Sequence, residues 1–205
     1  MKKFFVLLIL IFAMLLSVGC GGSSSEKTKE TTSNEIPQWD PKKGSIDLSD
    51  RKNYFVLIDG KKYDLNTNIA TFFNDGYAVY DLENMKQEVR AGKYIANDIY
   101  FRKNGETYFC MQPINRTDKT ITKEECTVYS ISIQDTWYTD ATIIGGITIG
   151  SSRQEVEEVF GMEFGLGTSE EYRMLCYGEV LSYGFNFSFD ESWQVISMMV
   201  YSYAN

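Results

Sequence analysis

The chain of 205 residues contains no histidine, and this absence removes several classes of function. Without an imidazole there is no His-containing catalytic triad, no histidine general base and no histidine metal ligand. The cysteines at Cys110, Cys126 and Cys176 lack the paired CxxC spacing of a zinc site. We therefore predict no metal, no cofactor and no catalytic residue.

A complete phosphate-binding loop is also missing. Gly145 and Gly150 have the glycine spacing of a P-loop and are followed by Ser151 and Ser152, but the lysine that reaches the phosphates is absent. These glycines fit a turn between a strand and a helix better than a nucleotide site.

Basic residues are few, 20 against 28 acidic ones, which gives a formal net charge of −8. Such a surface repels a phosphate backbone, so we expect no nucleic-acid partner. Adjacent carboxylates at Glu124 with Glu125, and at Glu170 with Glu171, could in principle form an acid and base pair. Their places near loops favour solvated side chains instead.

Long apolar runs are confined to the N-terminus, where residues 1–19 read as a secretory signal. Two lysines precede about 13 apolar residues, whereas a transmembrane helix needs roughly 20. The stretch Ser17-Val18-Gly19-Cys20 is similar to the lipobox of bacterial lipoproteins, with Ser where Leu is commonest. We predict a lipid anchor at Cys20 on the extracytoplasmic side of the cell membrane. The alternative is a soluble secreted protein with an unmodified Cys20.

The segment of residues 20–45 is predicted to be the lipidated cysteine and a flexible tether. It is rich in Ser, Thr, Glu, Lys and Gly and too poor in apolar residues to fold. About 20 such residues reach roughly 25 Å on average, which would hold the folded part just off the membrane.

Strand patterns and tight-turn pairs dominate from residue 46 onward, and they predict an α+β fold with short helices packed on an antiparallel sheet. Asp59-Gly60 and Asn104-Gly105 each separate two strand-like runs and favour hairpin turns, since these residue types tolerate positive φ. Alternating apolar residues between Leu181 and Phe189 predict a strand with one buried face and one face exposed to solvent.

The clearest helix signal lies in Ile147 to Gly161. A strand is predicted over residues 147–149, and Ser151 or Ser152 is the predicted N-cap, with Gln154 or Glu155 as its capping-box partner. An apolar stripe recurs at helical spacing before a glycine stop, and the residues of stripe and stop are Val156, Val159, Phe160 and Gly161.

A fainter copy of this pattern lies upstream, where Ile69, Phe72 and Phe73 repeat the same spacing. It suggests two tandem α+β units, residues 46–136 and 137–205. Chance also produces a short strand followed by a short helix, so the sequence alone does not decide whether the two units are a repeat.

The C-terminal third resembles the small α+β domains of the BamE (SmpA/OmlA) lipoproteins and the repeat of the β-lactamase-inhibitor protein. The resemblance covers about the last 60 residues and implies a non-catalytic module that docks on other proteins. The proline often found after the helix-ending glycine is absent, and no binding residues can be carried over. The matching residues are Ile147, Ile149, Gly150, Val156, Val159, Phe160, Gly161, Phe185, Phe187, Phe189, Asp190, Val195 and Ile196.

Aromatic residues make up 15% of the chain, and those in or beside loops are the candidates for partner contacts. They are Trp137, Tyr138, Tyr172 and Trp193. We therefore expect a protein-binding or inhibitory lipoprotein. The alternatives are a glycan- or peptide-binding surface lipoprotein and, third, an enzyme of unrecognised type.

The sequence allows two redox states for these cysteines. Cys110 and Cys126 lie on strands that could be neighbours in a sheet, so a disulfide between them is allowed outside the cytosol. Equally, all three thiols could be small buried apolar groups.

The lipid anchor is directly testable. We expect Cys20→Ser to block processing and lipid attachment, because the thiol carries the acyl chains whose buried methylenes add about 0.8 kcal/mol each to membrane affinity. Incorporation of a labelled fatty acid measures this. A wild-type protein that incorporates none would contradict the anchor.

Overall fold

The computed structural model describes residues 46–137, 139–161, 167–169, 173–179 and 182–203. The predicted signal, Cys20 and the tether lie outside these residues. So do Tyr138, Tyr172, Glu170 and Glu171. Within the described residues, no helix is long and apolar enough to cross a membrane.

The described residues form mostly strands joined by short helices, which confirms the α+β class. The strands of the first half are β1 (Phe55–Ile58), β2 (Lys61–Asp64), β3 (Ala78–Val79), β4 (Glu88–Val89), β5 (Ile99–Lys103), β6 (Glu106–Ile114), β7 (Ile121–Thr122) and β8 (Thr127–Gln134). Those of the second half are β9 (Ala141–Ile143), β10 (Gly167–Ser169), β11 (Met174–Glu179), β12 (Tyr183–Phe189) and β13 (Val195–Ser202). The α-helices are α1 (Ala70–Asn74), α2 (Leu82–Met85) and α3 (Arg153–Phe160).

One eight-stranded antiparallel sheet organises the fold, in the order β10-β11-β12-β13-β8-β6-β5-β3. A second sheet, β2-β1-β9, and a small pair, β4-β7, accompany it. The predicted antiparallel arrangement is therefore present.

Each half of the chain contributes four strands to the large sheet, with the last strands, β8 and β13, side by side at its centre. This is the arrangement that a tandem repeat would produce. The two halves do not form separate sheets, because β9 of the second half also pairs with β1 of the first. The division at residues 136 and 137 stays a prediction.

Both predicted hairpins are confirmed. Asp59 and Gly60 have φ of 51° and 75°, and Asn104 and Gly105 have φ of 53° and 92°. Positive φ at both central residues is what a type I′ turn requires, and its twist matches that of the flanking strands.

Helix α3 begins and ends as its sequence predicts. Ser152 is the N-cap: its hydroxyl accepts from the Glu155 amide at 3.3 Å, and Glu155 Oε2 accepts from the Ser152 amide at 2.7 Å. Gly161 takes φ of 89° at the C-cap. These contacts satisfy backbone groups that the helix ends would otherwise leave unpaired.

The strand predicted over residues 147–149 is wrong. The preceding strand is β9, and a single 3-10 turn (Ile144–Gly146) follows it, with positive φ at Gly145 and Gly146. That turn folds the chain back, so only Thr148 makes an isolated bridge, to Thr142.

The core lies on one side of the large sheet. Phe160 of α3 packs at 4.9 Å from Phe185 and 5.3 Å from Phe187, while Phe72 of α1 lies 5.4 Å from Phe101, all between ring centroids. Tyr54, just before β1, stacks on Phe185 at 4.8 Å. Helices α1 and α3 and the three-stranded sheet β2-β1-β9 therefore cover the same face of the large sheet, which we call the covered face.

The turn at Asn104-Gly105 gives a stability prediction. A Cβ at Gly105 would meet no atom within 4 Å, so substitution strains only the backbone. We expect Gly105→Val to lower the melting temperature by about 2–4 °C, the shift that about 1 kcal/mol produces in a chain of this size. Glu106→Val, at the exposed start of β6, is the control. Equal losses in the two variants would contradict the turn.

Candidate functional site

The face of the large sheet opposite the core carries no described helix. Strand register places residues from six strands on it in three rows, because direct partners in antiparallel strands point to the same side. We call this set the open face. Its residues are Tyr100, Cys110, Gln112, Ser130, Ser132, Gln134, Met174, Cys176, Gly178, Gly184, Asn186, Ser188, Ser197, Met199 and Tyr201.

The centre of the open face, on β6, β8 and β11 to β13, bears no charged side chain among the described residues, although Lys, Arg, Asp and Glu make up 23% of the chain. Charge is confined to its β5 border, where Arg102 follows Tyr100 at i+2 and the Asp98 carboxylate accepts from Gln112 Nε2 at 3.0 Å. The centre is a row of small or flexible side chains in which Asn186 pairs with Met199, and Met199 with Ser132. These three residues are half-buried. Solvent therefore reaches a centre that is polar but uncharged.

The open face is of moderate size. Six strands about 4.8 Å apart and three rows about 7 Å apart give roughly 24 Å by 14 Å, or about 340 Å². A standard protein interface buries about 800 Å² per partner. The borders of the face must therefore contribute to any stable contact.

One border is aromatic at β5. Tyr100, 44% exposed, meets Trp137 edge to face with 6.1 Å between ring centroids. Because it contacts Tyr100, the predicted contact residue Trp137 lies on the border of the open face, where it is half-buried.

A second border is a tyrosine cluster formed by Tyr94, Tyr129, Tyr201 and Tyr203. Tyr129 stacks on Tyr94 at 4.8 Å and meets Tyr203 at 4.6 Å, between centroids. Tyr94 and Tyr203 are 45% and 37% exposed. Burial is the main cause that raises the pKa of Tyr201 to about 12, so this phenol is neutral near pH 7.

One polar atom of the open face is buried without a partner. Asn186 Oδ1 accepts no hydrogen bond from the part of the chain that the structure describes. A buried acceptor of this kind costs free energy until a donor reaches it.

Trp193, the other predicted tryptophan, does not belong to this surface. Its ring packs against Phe189 at 5.9 Å between centroids, and the Arg153 guanidinium lies 4.6 Å from its centroid. Its carbonyl accepts from the Arg153 amide at 2.9 Å. Trp193 therefore supports the start of α3 on the covered face. It is half-buried, and its role as a partner contact stays a prediction.

The glycines with P-loop spacing do not form a phosphate cradle. The Gly150 amide donates to the Val195 carbonyl at 2.8 Å, and the Ser151 amide to the Thr148 carbonyl at 3.1 Å. The amides that a phosphate would need are thus already engaged.

The carboxylates and cysteines form no metal site in the described ranges, where no group of three or more potential ligands occurs. Glu125 Oε2 instead accepts from the Thr122 amide at 2.8 Å, in a second capping box. This contact, with the Thr122 hydroxyl, lowers the pKa of Glu125.

The disulfide between Cys110 and Cys126 is also corrected, since both thiols are free and buried. Cys110 lies opposite Ser132, six residues along the chain from Cys126. At about 3.4 Å per residue this offset is about 20 Å, far beyond the roughly 7 Å that a disulfide allows between Cα atoms.

Most of the open face could not be named from sequence. The alternation of β12 indicates that Gly184, Asn186 and Ser188 share a wet face. Ser132 and Met199 join them only through the pairing of β8 with β13, which no local pattern reveals.

No protein-family model matches the chain, and neither the curated proteins nor the solved structures contain a significant match to it. The resemblance to BamE lipoproteins and the β-lactamase-inhibitor protein thus stays a prediction.

The thiols give a test of both the register and the open face. Burial raises the pKa of Cys110 to about 12 and that of Cys126 to about 11, and it also raises that of the half-buried Cys176. Because the thiolate is the reactive form, we expect Cys176 to react first with a thiol reagent at pH 8 in a Cys20→Ser chain.

The rates of Cys110 and Cys126 should stay low until the pH approaches these raised pKa values, and unfolding should release all three thiols. Mass-spectrometric mapping of the labelled peptides measures this order. A cross-linked peptide that joins Cys110 to Cys126 would contradict the register.

Proposed function

We propose that this protein is a lipid-anchored, non-catalytic module on the extracytoplasmic side of the cell membrane, and that it holds a partner protein against its open face. The observation that carries the proposal is the uncharged centre of the open face in a strongly charged chain. Charged residues are depleted at the centres of protein interfaces, where Tyr, Trp and Met are enriched. Met199, the Tyr100–Trp137 pair and the tyrosine cluster provide these residue types.

The pattern of exposure supports docking as well. Half-buried small side chains at the centre present a surface that a partner can desolvate at little cost, since no charge must leave water there. The aromatic borders supply larger apolar areas and the residue types, Tyr and Trp, in which binding energy is usually concentrated. Asn186 Oδ1 offers an acceptor for a donor from the partner.

The membrane location is proposed from the sequence of residues 1–45. The signal-like run and the lipobox-like Cys20 favour an anchor, and the tether gives the folded part room to meet a neighbour. At roughly 25 Å of average reach, the partner would be a membrane-bound or membrane-proximal protein.

Binding of a glycan or peptide is the second candidate, and the tyrosine cluster is the observation that favours it. Tyr94 and Tyr203 expose ring surface beside the buried Tyr129, and aromatic rings with a hydroxyl suit mixed apolar and polar ligands. A glycan would occupy this border alone, whereas a protein would also cover the centre of the open face. Substitutions at the centre therefore separate the two functions.

A charge placed at the centre of the open face should abolish capture of a protein partner. We expect Ser132→Arg to do so, because an unpaired guanidinium buried in an interface costs several kcal/mol. Gln134→Arg, at an exposed open-face position, is a second variant should Ser132→Arg unfold. Proximity labelling from the anchored protein in its native envelope, followed by co-purification, measures capture.

Gln154→Arg adds the same charge to an exposed position of α3, on the covered side, and is the matched control. Its capture and melting temperature should equal those of the wild type. Capture that survives both open-face variants with an intact fold would contradict docking at this face. If binding of a soluble glycan or peptide also survives, the second candidate is favoured.

A further inference from the structure

A cavity of about 200 Å³ lies on the covered side of the large sheet, away from the open face. Its walls come from the 3-10 turn Arg51–Asn53, strand β2 and the ends of β12 and β13. These elements are distant in sequence, so the cavity exists only in the folded chain.

Three cations line this cavity, namely Arg51, Lys52 and Lys62, against a single carboxylate, Asp64. Among the described residues, none of the three cations has a carboxylate within ion-pair distance. Some other basic residues do form ion pairs, as in Lys103 with Asp59 at 2.6 Å. An unneutralised cluster of this kind is unexpected in a chain of net charge −8.

Asp64 forms no ion pair with these three cations, and its carboxylate instead accepts hydrogen bonds in the local turn. Asp64 Oδ1 accepts from the Asn66 amide at 2.8 Å. It also lies 3.4 Å from Thr67 Oγ1. These contacts hold it toward the chain that follows β2.

A fourth positive charge lies beneath the cavity wall. The Arg116 guanidinium donates to the carbonyls of Leu65 at 3.2 Å and Ser202 at 3.1 Å, and both of these residues line the cavity. Burial, and then repulsion from Arg51, lowers the pKa of Arg116.

The remaining wall is aromatic and held in place. Tyr54 and Tyr183 meet edge to face with 5.0 Å between centroids, and Arg51 lies 6.0 Å from the Tyr183 centroid. The Tyr54 hydroxyl donates to the Leu48 carbonyl at 2.7 Å. This wall can pack against a short organic group attached to an anion.

We propose that the cavity binds a small phosphate monoester, with Arg51, Lys52 and Lys62 around the phosphate and the two tyrosines against the attached group. Three cations against one carboxylate favour a compact dianion over a monocarboxylate. The cavity and the open face lie on opposite sides of the sheet, so this site does not depend on the proposed partner docking.

The test is titration calorimetry of the purified full-length chain with glycerol 2-phosphate, inorganic phosphate and succinate. We expect glycerol 2-phosphate to bind more tightly than inorganic phosphate, and succinate, a dianion of different geometry, to bind least. Binding should weaken as sodium chloride is added, since the cations are exposed to solvent.

Arg51→Gln and Lys62→Gln should each weaken binding of glycerol 2-phosphate by about tenfold, the effect of losing one charge-assisted hydrogen bond. Lys93→Gln, at an exposed lysine outside the cavity, is the control and should leave the affinity unchanged. All three positions are exposed, so folding should be retained, and melting temperatures check this.

Three results would overturn the proposal. One is an equal loss of affinity in Lys93→Gln, which would mean general charge attraction. Another is succinate or inorganic phosphate binding as tightly as glycerol 2-phosphate. The third is no saturable binding of glycerol 2-phosphate up to about 10 mM, the range of very weak sites.

Discussion

The packing of two short helices on a single face of the large sheet is the constraint on which the rest of this structure depends. Phe160 and Phe72 are buried to 4% and 0% exposure, and each such side chain contributes about 1.5–3 kcal/mol through its removal from water. Helices of eight and five residues would be marginal alone, so this contact stabilises helix and sheet together. Because α1 and α3 both pack on this side and no described helix lies on the other, the opposite face is left to solvent.

That one-sided burial divides the protein into two surfaces with different chemistry. The open face has small, uncharged side chains at its centre and aromatic residues at its borders, and it suits contact with a protein surface. The covered side has a cationic cavity between the small sheet and the strand ends, and it suits a small anion. The large sheet separates the two, so occupancy of one leaves the other accessible.

Local chemistry could be predicted from the sequence, and non-local pairing could not. The turn at Asn104-Gly105 and the cap at Ser152 depend on residues within three positions of each other, so their residue types suffice. The adjacency of β8 and β13 joins strands about 65 residues apart, and alternation tells which side chains are buried without telling which strand is the neighbour. The same limit explains the incorrect disulfide, since the register decides the distance from Cys110 to Cys126. The packing of Trp193 against Arg153 of α3 could not be predicted either, because a loop position does not show which element the ring contacts.

Site-specific photo-crosslinking in the native envelope would show directly whether a protein occupies the open face. A photoreactive residue in place of Met199 stands at the centre of the open face, and one in place of Glu158 stands on the exposed side of α3. The account predicts a defined covalent adduct with one protein from position 199 and none from position 158. The absence of an adduct at 199, or the same adduct from both positions, would contradict it.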